Sequence, residues 1–430
     1  MEDLTRLFTA MILRDEDHAR QHSVEGLAYA SIQPGIKESI ANDAELLKKL
    51  LKILSESKPK SPTTYGTLSI FVNLTRYQPT LTEEQKKMNQ LKAYADASGK
   101  QATGQDPLND DKHVARRSKI VFDAGLVPVL LAQSKFSSAA SLALTAAIIH
   151  SLSVSKELRG PLAQQGAVSL MIASWAALPE ADSAARRVAA QALSRILISA
   201  NPALVFGGTR SNAVHAAIRA LVSILPPDPA SETRDLLPSF EGLMALTNLA
   251  SMEDDTARQL IISSAWPQIE EQLLSSNDLI SKAAVELVCN LMQSPEGIAL
   301  YAEDTPQAKN RLHILLALAD AENEGTRSAA GGALASLTGF ESVVRGIIQR
   351  ERGVKVVLTM CVDENEDLRH RGVYTIYNMV NADGQAGKDA QTKITEDGGV
   401  EIMKECLKKS RRPEVLQVTV QALKTLLGQK

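Results

Sequence analysis

The chain has 430 residues, of which 44% are apolar and 4% aromatic, and it carries a formal net charge of −3. This near-neutral charge excludes a general attraction to nucleic acid or to an anionic membrane. No apolar run reaches the ~18–20 residues that a membrane-spanning helix requires, and the first residues lack a basic region followed by an apolar one. Length and composition therefore predict a soluble, cytosolic protein with a large buried interior.

The apolar spacing predicts helices along the whole chain, because period-two alternation is nearly absent. Helices of the first half are predicted over residues 4–17, 22–30, 44–54, 65–75, 141–152 and 184–198. Asn42 or Asp43 is the expected N-cap of the third of these helices, and Pro59 and Pro62 are expected to end it. Regular helices resume at Val114 after an irregular stretch.

Three stretches interrupt the helical pattern, over residues 78–113, 200–210 and 226–239. The first is polar and predicts a short helix over 83–97 followed by a mobile or disordered loop. The third is rich in proline. After residue 239 the helical pattern continues without interruption to about Leu427.

The segment 240–252, FEGLMALTNLASM, shows best how this part of the chain is built. On a helix, Leu243, Leu246 and Leu249 lie on one face, whereas Met244 and Asn248 lie four residues apart on another. The first face is predicted to be a core seam and the second to face outward. The same pattern recurs with Glu286 and Asn290 over 283–292, with Ser336 over 329–338, and with Tyr374 and Asn378 over 371–380.

The spacing of these segments defines a repeat. Asn248 and Asn290 are 42 residues apart, Asn290 and Ser336 are 46 apart, and Ser336 and Asn378 are 42 apart. Repeats of about 40–47 residues with two or three helices are typical of armadillo and HEAT proteins. A glycine with positive φ is expected before each further apolar run, at Gly125, Gly166, Gly353 and Gly399. The sequence predicts an all-α, right-handed superhelical array that forms one domain over residues 1–430.

No pattern in the sequence favours catalysis or a cofactor. The chain has no CxxC pair, no G-x-S-x-G elbow and no Walker-type phosphate loop. His18 and His22 are four residues apart, but a metal site needs three or four convergent ligands, and no third ligand is near. The remaining candidates are predicted to be structural: histidines 150, 215 and 313, the close-packed pair Gly331–Gly332, and the free thiols Cys289, Cys361 and Cys406.

The asparagine series predicts a binding surface. A side-chain amide offers both a donor and an acceptor, so a row of amides can hold the main chain of an extended peptide. The expected client-binding groove contains Asn248, Asn290, Asn378, Tyr374, Met244, Glu286 and Arg371. The alternative is that each Asn bonds to a loop or a neighbouring helix within the array.

Seven segments in chain order carry a resemblance to a known family: VEGLAYASIQPGIKESI, KMNQLKAYA, VARRSKIVFDAGLVP, SANPALVF, FEGLMALTNLA, AAVELVCNLM and LRHRGVYTIYNMV. They resemble the UCS domain of the myosin-specific chaperones across essentially the whole chain. The resemblance implies an armadillo-type superhelix that binds the myosin motor domain, assists its folding and keeps it competent for actin-based movement. It also implies that Asn248, Asn290, Tyr374 and Asn378 line the myosin-binding surface.

Animal members of this family carry an N-terminal TPR module, with a repeat of about 34 residues, that recruits a heat-shock chaperone. No such pattern is visible here. The resemblance therefore leaves open a heat-shock partner, the class of myosin that is bound, and the pairing of arrays into dimers or filaments.

Two alternative functions remain. An armadillo-type nuclear-import adaptor uses a similar asparagine ladder, but pairs nearly every Asn with a Trp one turn earlier, where this chain has Met244, Glu286 and Tyr374. The two tryptophans, Trp175 and Trp266, lie elsewhere. A passive scaffold would instead make its contacts through a convex surface or the 78–113 stretch.

Overall fold

The computed structural model describes residues 2–14, 19–78, 106–207, 211–230 and 235–428. Every regular element in these ranges is a helix, which confirms the all-α prediction. None of the helices described combines the length and the apolar composition needed to cross a bilayer. The chain divides into two compact units, Met1–Ile224 and Leu225–Lys430. The expectation of one continuous domain over 1–430 stays a prediction.

The first unit contains thirteen helices in its described residues, together with a 3-10 turn at Pro107–Asn109. They are α1 (Glu2–Leu13), α2 (Arg20–Ala30), α3 (Pro34–Asn42), α4 (Ala44–Glu56), α5 (Pro62–Thr75), α6 (Asp111–Asp123), α7 (Leu126–Ser134), α8 (Ala139–Leu152), α9 (Lys156–Gln164), α10 (Ala167–Ala177), α11 (Ser183–Ser199), α12 (Pro202–Phe206) and α13 (Ser211–Val222).

The second unit contains twelve helices in its described residues. They are α14 (Leu237–Ala250), α15 (Thr256–Leu273), α16 (Asp278–Leu291), α17 (Pro295–Ala302), α18 (Pro306–Ala319), α19 (Glu324–Leu337), α20 (Glu341–Ile348), α21 (Gly353–Met360), α22 (Glu366–Val380), α23 (Gly384–Glu396), α24 (Gly399–Lys409) and α25 (Pro413–Leu426).

One helix of each repeat packs directly on its counterpart in the next repeat, and we call these the ladder helices. In the first unit they are α2, α5, α8 and α11, and in the second unit α14, α16, α19, α22 and α25. Each unit therefore has the armadillo-type organisation that the repeat spacing predicted.

Three of the five ladder helices of the second unit begin at a recurring asparagine cap. The side chains of Asn277, Asn323 and Asn365 accept hydrogen bonds from backbone N–H groups in the first turns of α16, α19 and α22. Such a cap satisfies donors that have no partner inside the helix. In the first unit, Asp43 plays this part for α4 by accepting from Leu46 N at 2.9 Å, and Pro62 begins the next helix, as prolines favour.

The glycine turns were predicted correctly at two of four positions. Gly125 and Gly166 have φ of 92° and 89°. Near residue 399 the positive φ belongs to Gly398 instead, at 82°. The prediction for Gly353 was wrong: this glycine is the first residue of α21, and a Cβ there would lie 2.1 Å from the Ile347 carbonyl oxygen. Close approach of the backbone, and not a left-handed turn, requires glycine at that position.

The irregular stretches contain some local structure. The stretch predicted over 78–113 includes the 3-10 turn and the start of α6, and the stretch over 200–210 includes α12. The third stretch ends at residue 236, since α14 begins at Leu237. The helix predicted over 83–97 lies outside the described residues, as do His18 and the end of the helix predicted over 4–17.

Two arginines join successive repeats of the second unit. Arg327 donates to the carbonyl oxygens of Ala321 and Glu322 and to Asp363 Oδ2 of the next repeat, at 3.1 Å. Arg369, 42 residues later, is only 5% exposed and binds two carbonyls of its own loop as well as Ser410 Oγ of the next repeat, at 3.0 Å. These bonds fix the register between neighbouring ladder helices.

Candidate functional site

The predicted core seam is confirmed. The inward residues of the three full repeats are all buried with 0% exposure: Leu243, Leu246, Leu249, Val285, Val288, Leu291, Val373, Ile376 and Met379. Their burial leaves the opposite side of each helix uncovered. We call this uncovered side of α14, α16, α19 and α22 the ladder face.

Every predicted groove residue lies on the ladder face. Met244, Asn248, Glu286, Asn290, Arg371 and Asn378 are half-buried, and Tyr374 is 43% exposed. Because the four helices pack in succession, these side chains form rows that run across the repeats. Whether these rows bind a client stays a prediction.

The asparagine amides are partly occupied within the unit. Asn290 Nδ2 donates to the Thr247 carbonyl oxygen at 3.0 Å, and Asn378 Nδ2 donates to the Ala335 carbonyl oxygen at 3.0 Å and to Thr338 Oγ1 at 3.3 Å. Both carbonyls lie in the last turn of the preceding ladder helix, where a C=O group has no N–H partner within its own helix. The alternative role, a bond to a neighbouring helix within the array, is thus present for the side-chain NH2 groups of Asn290 and Asn378.

The side-chain oxygens of Asn290 and Asn378 make no such hydrogen bond within the part of the chain that the structure describes. Among the described residues, no donor binds Oδ1 of Asn290 or Asn378, and one amide hydrogen of Asn290 also stays available. Asn248 is half-buried and is not free of partners either. A client peptide would therefore meet chiefly amide oxygens, which accept hydrogen bonds from its N–H groups.

The same bond recurs in the first unit, where Asn73 Nδ2 donates to the Ala28 carbonyl oxygen at 3.1 Å and to Ser31 Oγ at 2.9 Å. Its repetition shows that a ladder asparagine completes the C-terminal end of the helix before it. Ser336 does not do so, since its hydroxyl donates to Gly332 O of its own helix at 3.3 Å. The interruption of the series at Ser336 is therefore real.

The aromatic part of the ladder face is larger than the sequence indicated. The ring of Tyr374 lies 6.4 Å from His370 and 6.3 Å from Tyr377, measured between centroids. Sequence reasoning missed His370 and Tyr377, although the four- and three-residue spacings in HRGVYTIY place all three rings on one side of a helix. Together they present an aromatic surface with a polar edge.

The charged residues of the ladder face differ in their partners. Glu286 pairs with Lys282 at 3.8 Å on the same helix. Arg371 Nη1 reaches α19, where it donates to the carbonyl oxygen of Ser328 and, at 2.8 Å, to its hydroxyl.

The thiols of Cys289 and Cys361 are not activated. Cys361 and Cys406 are buried and Cys289 is half-buried, and all three are free. Burial raises the pKa of the Cys289 thiol, even though Arg371 opposes this effect. The pKa of Cys361 is also raised by burial. In the ranges that the structure describes, no three His, Cys or acidic side chains converge as metal ligands would.

The tryptophans do not lie on the ladder face. Trp175 of α10 and Trp266 of α15 are 7% and 6% exposed, and their rings are covered by Arg186 at 4.2 Å and Arg311 at 5.5 Å. The aromatic cages that a nuclear-import adaptor uses for basic peptides are thus not built from these residues.

No protein-family model matches the chain. The chain is 30% identical over 365 residues to ring assembly protein 3 of Schizosaccharomyces pombe, an alignment that covers 84% of this chain and 47% of the relative. It is 28% identical to protein unc-45 homolog B of Danio rerio, with coverage of 89% and 39%. The solved UNC-45 structure from Drosophila melanogaster has 27% identity and a TM-score of 0.81, with coverage of 99% and 51%.

The chain is similar to proteins of the UCS family along more than four fifths of its own length. It spans about half the length, or less, of the relatives that it matches. The solved structure of She4p, at 22% identity and a TM-score of 0.78, shares the fold. UCS relatives are named as a ring assembly protein and as UNC-45 proteins, and none of these names describes a reaction.

Proposed function

We propose that this chain binds the myosin motor domain as a chaperone, and assists its folding and its work on actin. The observation that carries the proposal is the similarity to UCS proteins over more than four fifths of the chain. One solved UNC-45 structure is described as showing molecular features of this chaperone that are critical for binding and folding muscle myosin. The extension to this chain is a proposal, because the chain spans only part of these proteins.

The ladder face of the second unit is the proposed binding surface. It offers the exposed aromatic ring of Tyr374, the amide oxygens of Asn290 and Asn378, and the thioether of Met244 within one continuous row of packed helices. Aromatic rings contribute large contact area at low entropic cost, and unbonded amide oxygens fix a main chain. A client segment in an extended conformation fits this combination.

The proposal includes a cytoplasmic location and no catalytic activity of the chain's own. A heat-shock chaperone is a further proposed partner, because UNC-45 of C. elegans is described in complex with an Hsp70 peptide and with an Hsp90 peptide. Titration of the same two kinds of peptide into this chain tests that partner separately.

The proposal is tested by heating a purified muscle myosin head with and without this chain and following light scattering. We expect suppression of aggregation near stoichiometric amounts, without any nucleotide. Tyr374→Ala and Asn290→Ala should weaken the protection, whereas Tyr65→Ala is the matched control, because Tyr65 is 48% exposed on a ladder helix of the other unit. Aggregation that is unchanged by the wild-type chain would overturn the proposal.

A further inference from the structure

Arg371 is held in place on the ladder face. Its Nη1 donates to the carbonyl oxygen and the hydroxyl of Ser328 on α19, so the side chain reaches across from α22 to the preceding ladder helix. A long, flexible side chain fixed in this way has already lost much of the rotamer entropy that binding would otherwise cost.

Gly332 provides the space for this arrangement. A Cβ atom at Gly332 would lie 3.3 Å from Arg371 Nη1 and 2.9 Å from Cys289 Sγ. The guanidinium therefore lies against the backbone of α19, beside a residue of α16. Three ladder helices meet at this point, which puts the charge in the middle of the ladder face.

The positive charge of Arg371 has no counter-ion. Among the described residues, no carboxylate lies within 4.0 Å of its guanidinium, and the nearby Glu286 pairs with Lys282 instead. The two arginines that join successive repeats do have counter-ions: Arg327 has Asp363 at 3.1 Å, and Arg369 has Glu366 at 3.8 Å. Half-buried cations are normally paired, because partial desolvation raises the cost of an isolated charge.

One edge of the Arg371 guanidinium remains open. Nε and Nη2 bind no acceptor among the described residues, and neither atom is sealed from solvent. These two nitrogens form the parallel pair of donors that grips a carboxylate through two hydrogen bonds. We infer that Arg371 binds the carboxylate of an acidic side chain in the client segment, close to the residue that contacts Tyr374. This inference rests on the proposed function and names the chemistry of its ligand.

The test uses overlapping peptides that together cover a muscle myosin motor domain. For each peptide, a set of variants is also made in which one Asp or Glu at a time is replaced by Asn or Gln. For peptides that bind the wild-type chain, we expect one acid-to-amide change to weaken binding about 10- to 100-fold. The same change should have no effect on binding to Arg371→Gln. Arg371→Lys should restore part of the preference, because it keeps the charge but loses the paired donors.

Two controls separate charge recognition from structural damage. Arg345→Gln removes an exposed arginine that pairs with Glu341, and should leave peptide binding unchanged. Ser328→Ala removes the hydroxyl contact but keeps the charge and the carbonyl contact, so the acid preference should persist. A preference that survives in Arg371→Gln, or is absent from the wild-type chain, overturns the inference.

The outcomes also separate this inference from the proposed function. If the myosin head is protected from aggregation but no peptide binds, the inference fails and the proposed function stands. If the head is not protected, the proposed function itself fails.

Discussion

The side-chain amide of Asn378 lies 3.0 Å from the carbonyl oxygen of Ala335, which is 43 residues earlier in the chain. Asn290 and Thr247 have the same separation in sequence and the same distance. A side chain of one repeat therefore completes the helix of the repeat before it, so these asparagines serve stability as well as the proposed binding surface.

The first prediction follows from this relationship. Asn290→Ala should lower the free energy of unfolding by about 1 kcal/mol, because a helix-terminal carbonyl loses its partner. Asn378→Ala should cost more, since it removes two hydrogen bonds, those to Ala335 O and to Thr338 Oγ1. Urea unfolding followed by circular dichroism measures both. Ser336→Ala is the control and should stay within about 0.5 kcal/mol; equal effects of all three changes would contradict the prediction.

The second prediction concerns the register between repeats. Arg369→Ala removes four hydrogen bonds from a side chain that is 5% exposed, and should cost about 3 kcal/mol. Arg345→Ala, which removes one partner of an exposed ion pair, should cost less than about 0.5 kcal/mol. Hydrogen exchange should also speed up in α24 and α25; unchanged exchange there would show that Arg369 does not hold the last repeat.

The third prediction is that replacing glycine by alanine lowers stability at Gly372 and raises it at Gly35. A Cβ at Gly372 would lie 2.9 Å from Met360 Cβ and from the Cys361 backbone nitrogen, so Gly372→Ala should lower the melting temperature despite the higher helix propensity of alanine. Gly35 of α3 has no atom within 4 Å of its Cβ position. Gly35→Ala should therefore raise stability by about 0.5 kcal/mol. Thermal melts of both variants decide whether packing or propensity dominates.

The fourth prediction is a dependence on pH. Burial, and then the charge of Arg195, lower the pKa of His150 to about 4, while Gln191 opposes the shift through a hydrogen bond. The unfolded chain binds its proton near the ordinary pKa of about 6.5. Between pH 6.5 and 4 the unfolded state therefore holds more protons, and stability falls as the pH is lowered through this window.

His150→Gln tests this dependence. The variant should flatten the loss of stability between pH 6.5 and 4, by up to about 3 kcal/mol at the acid end. The two proteins should show parallel profiles above pH 7, where His150 is neutral in both states. If the free energy of unfolding falls equally steeply with decreasing pH in the variant, groups other than His150 cause the loss of stability.

The sequence predicted the helices and their core faces well, because burial imposes a period that can be read from single residues. Leu243, Val285 and Val373 are each fully buried, as their spacing required. Helix starts were predicted less accurately: the recurring caps Asn277, Asn323 and Asn365 follow the repeat spacing, but caps carry only a short local signal.

The polar contacts of the ladder face could not be predicted in the same way. The partner of Asn378 is a backbone carbonyl 43 residues away, and a backbone carbonyl has no sequence signature. The position of Arg371 depends on the missing side chain of Gly332 in another helix, so neither residue alone indicates it. Which side chains face outward was predictable, whereas their partners required the packing of neighbouring repeats.

The asparagine hydrogen bonds also set the order in which the repeats are completed during synthesis of the chain. As the chain leaves a ribosome, α14 can wind into a helix, yet the Thr247 oxygen must wait for 43 more residues before Asn290 arrives to bind it. Until then, a water molecule has to donate a hydrogen bond to that oxygen. Each newly made repeat of this kind finishes its predecessor, and a synthesis that stops early would leave its last ladder helix with a frayed end.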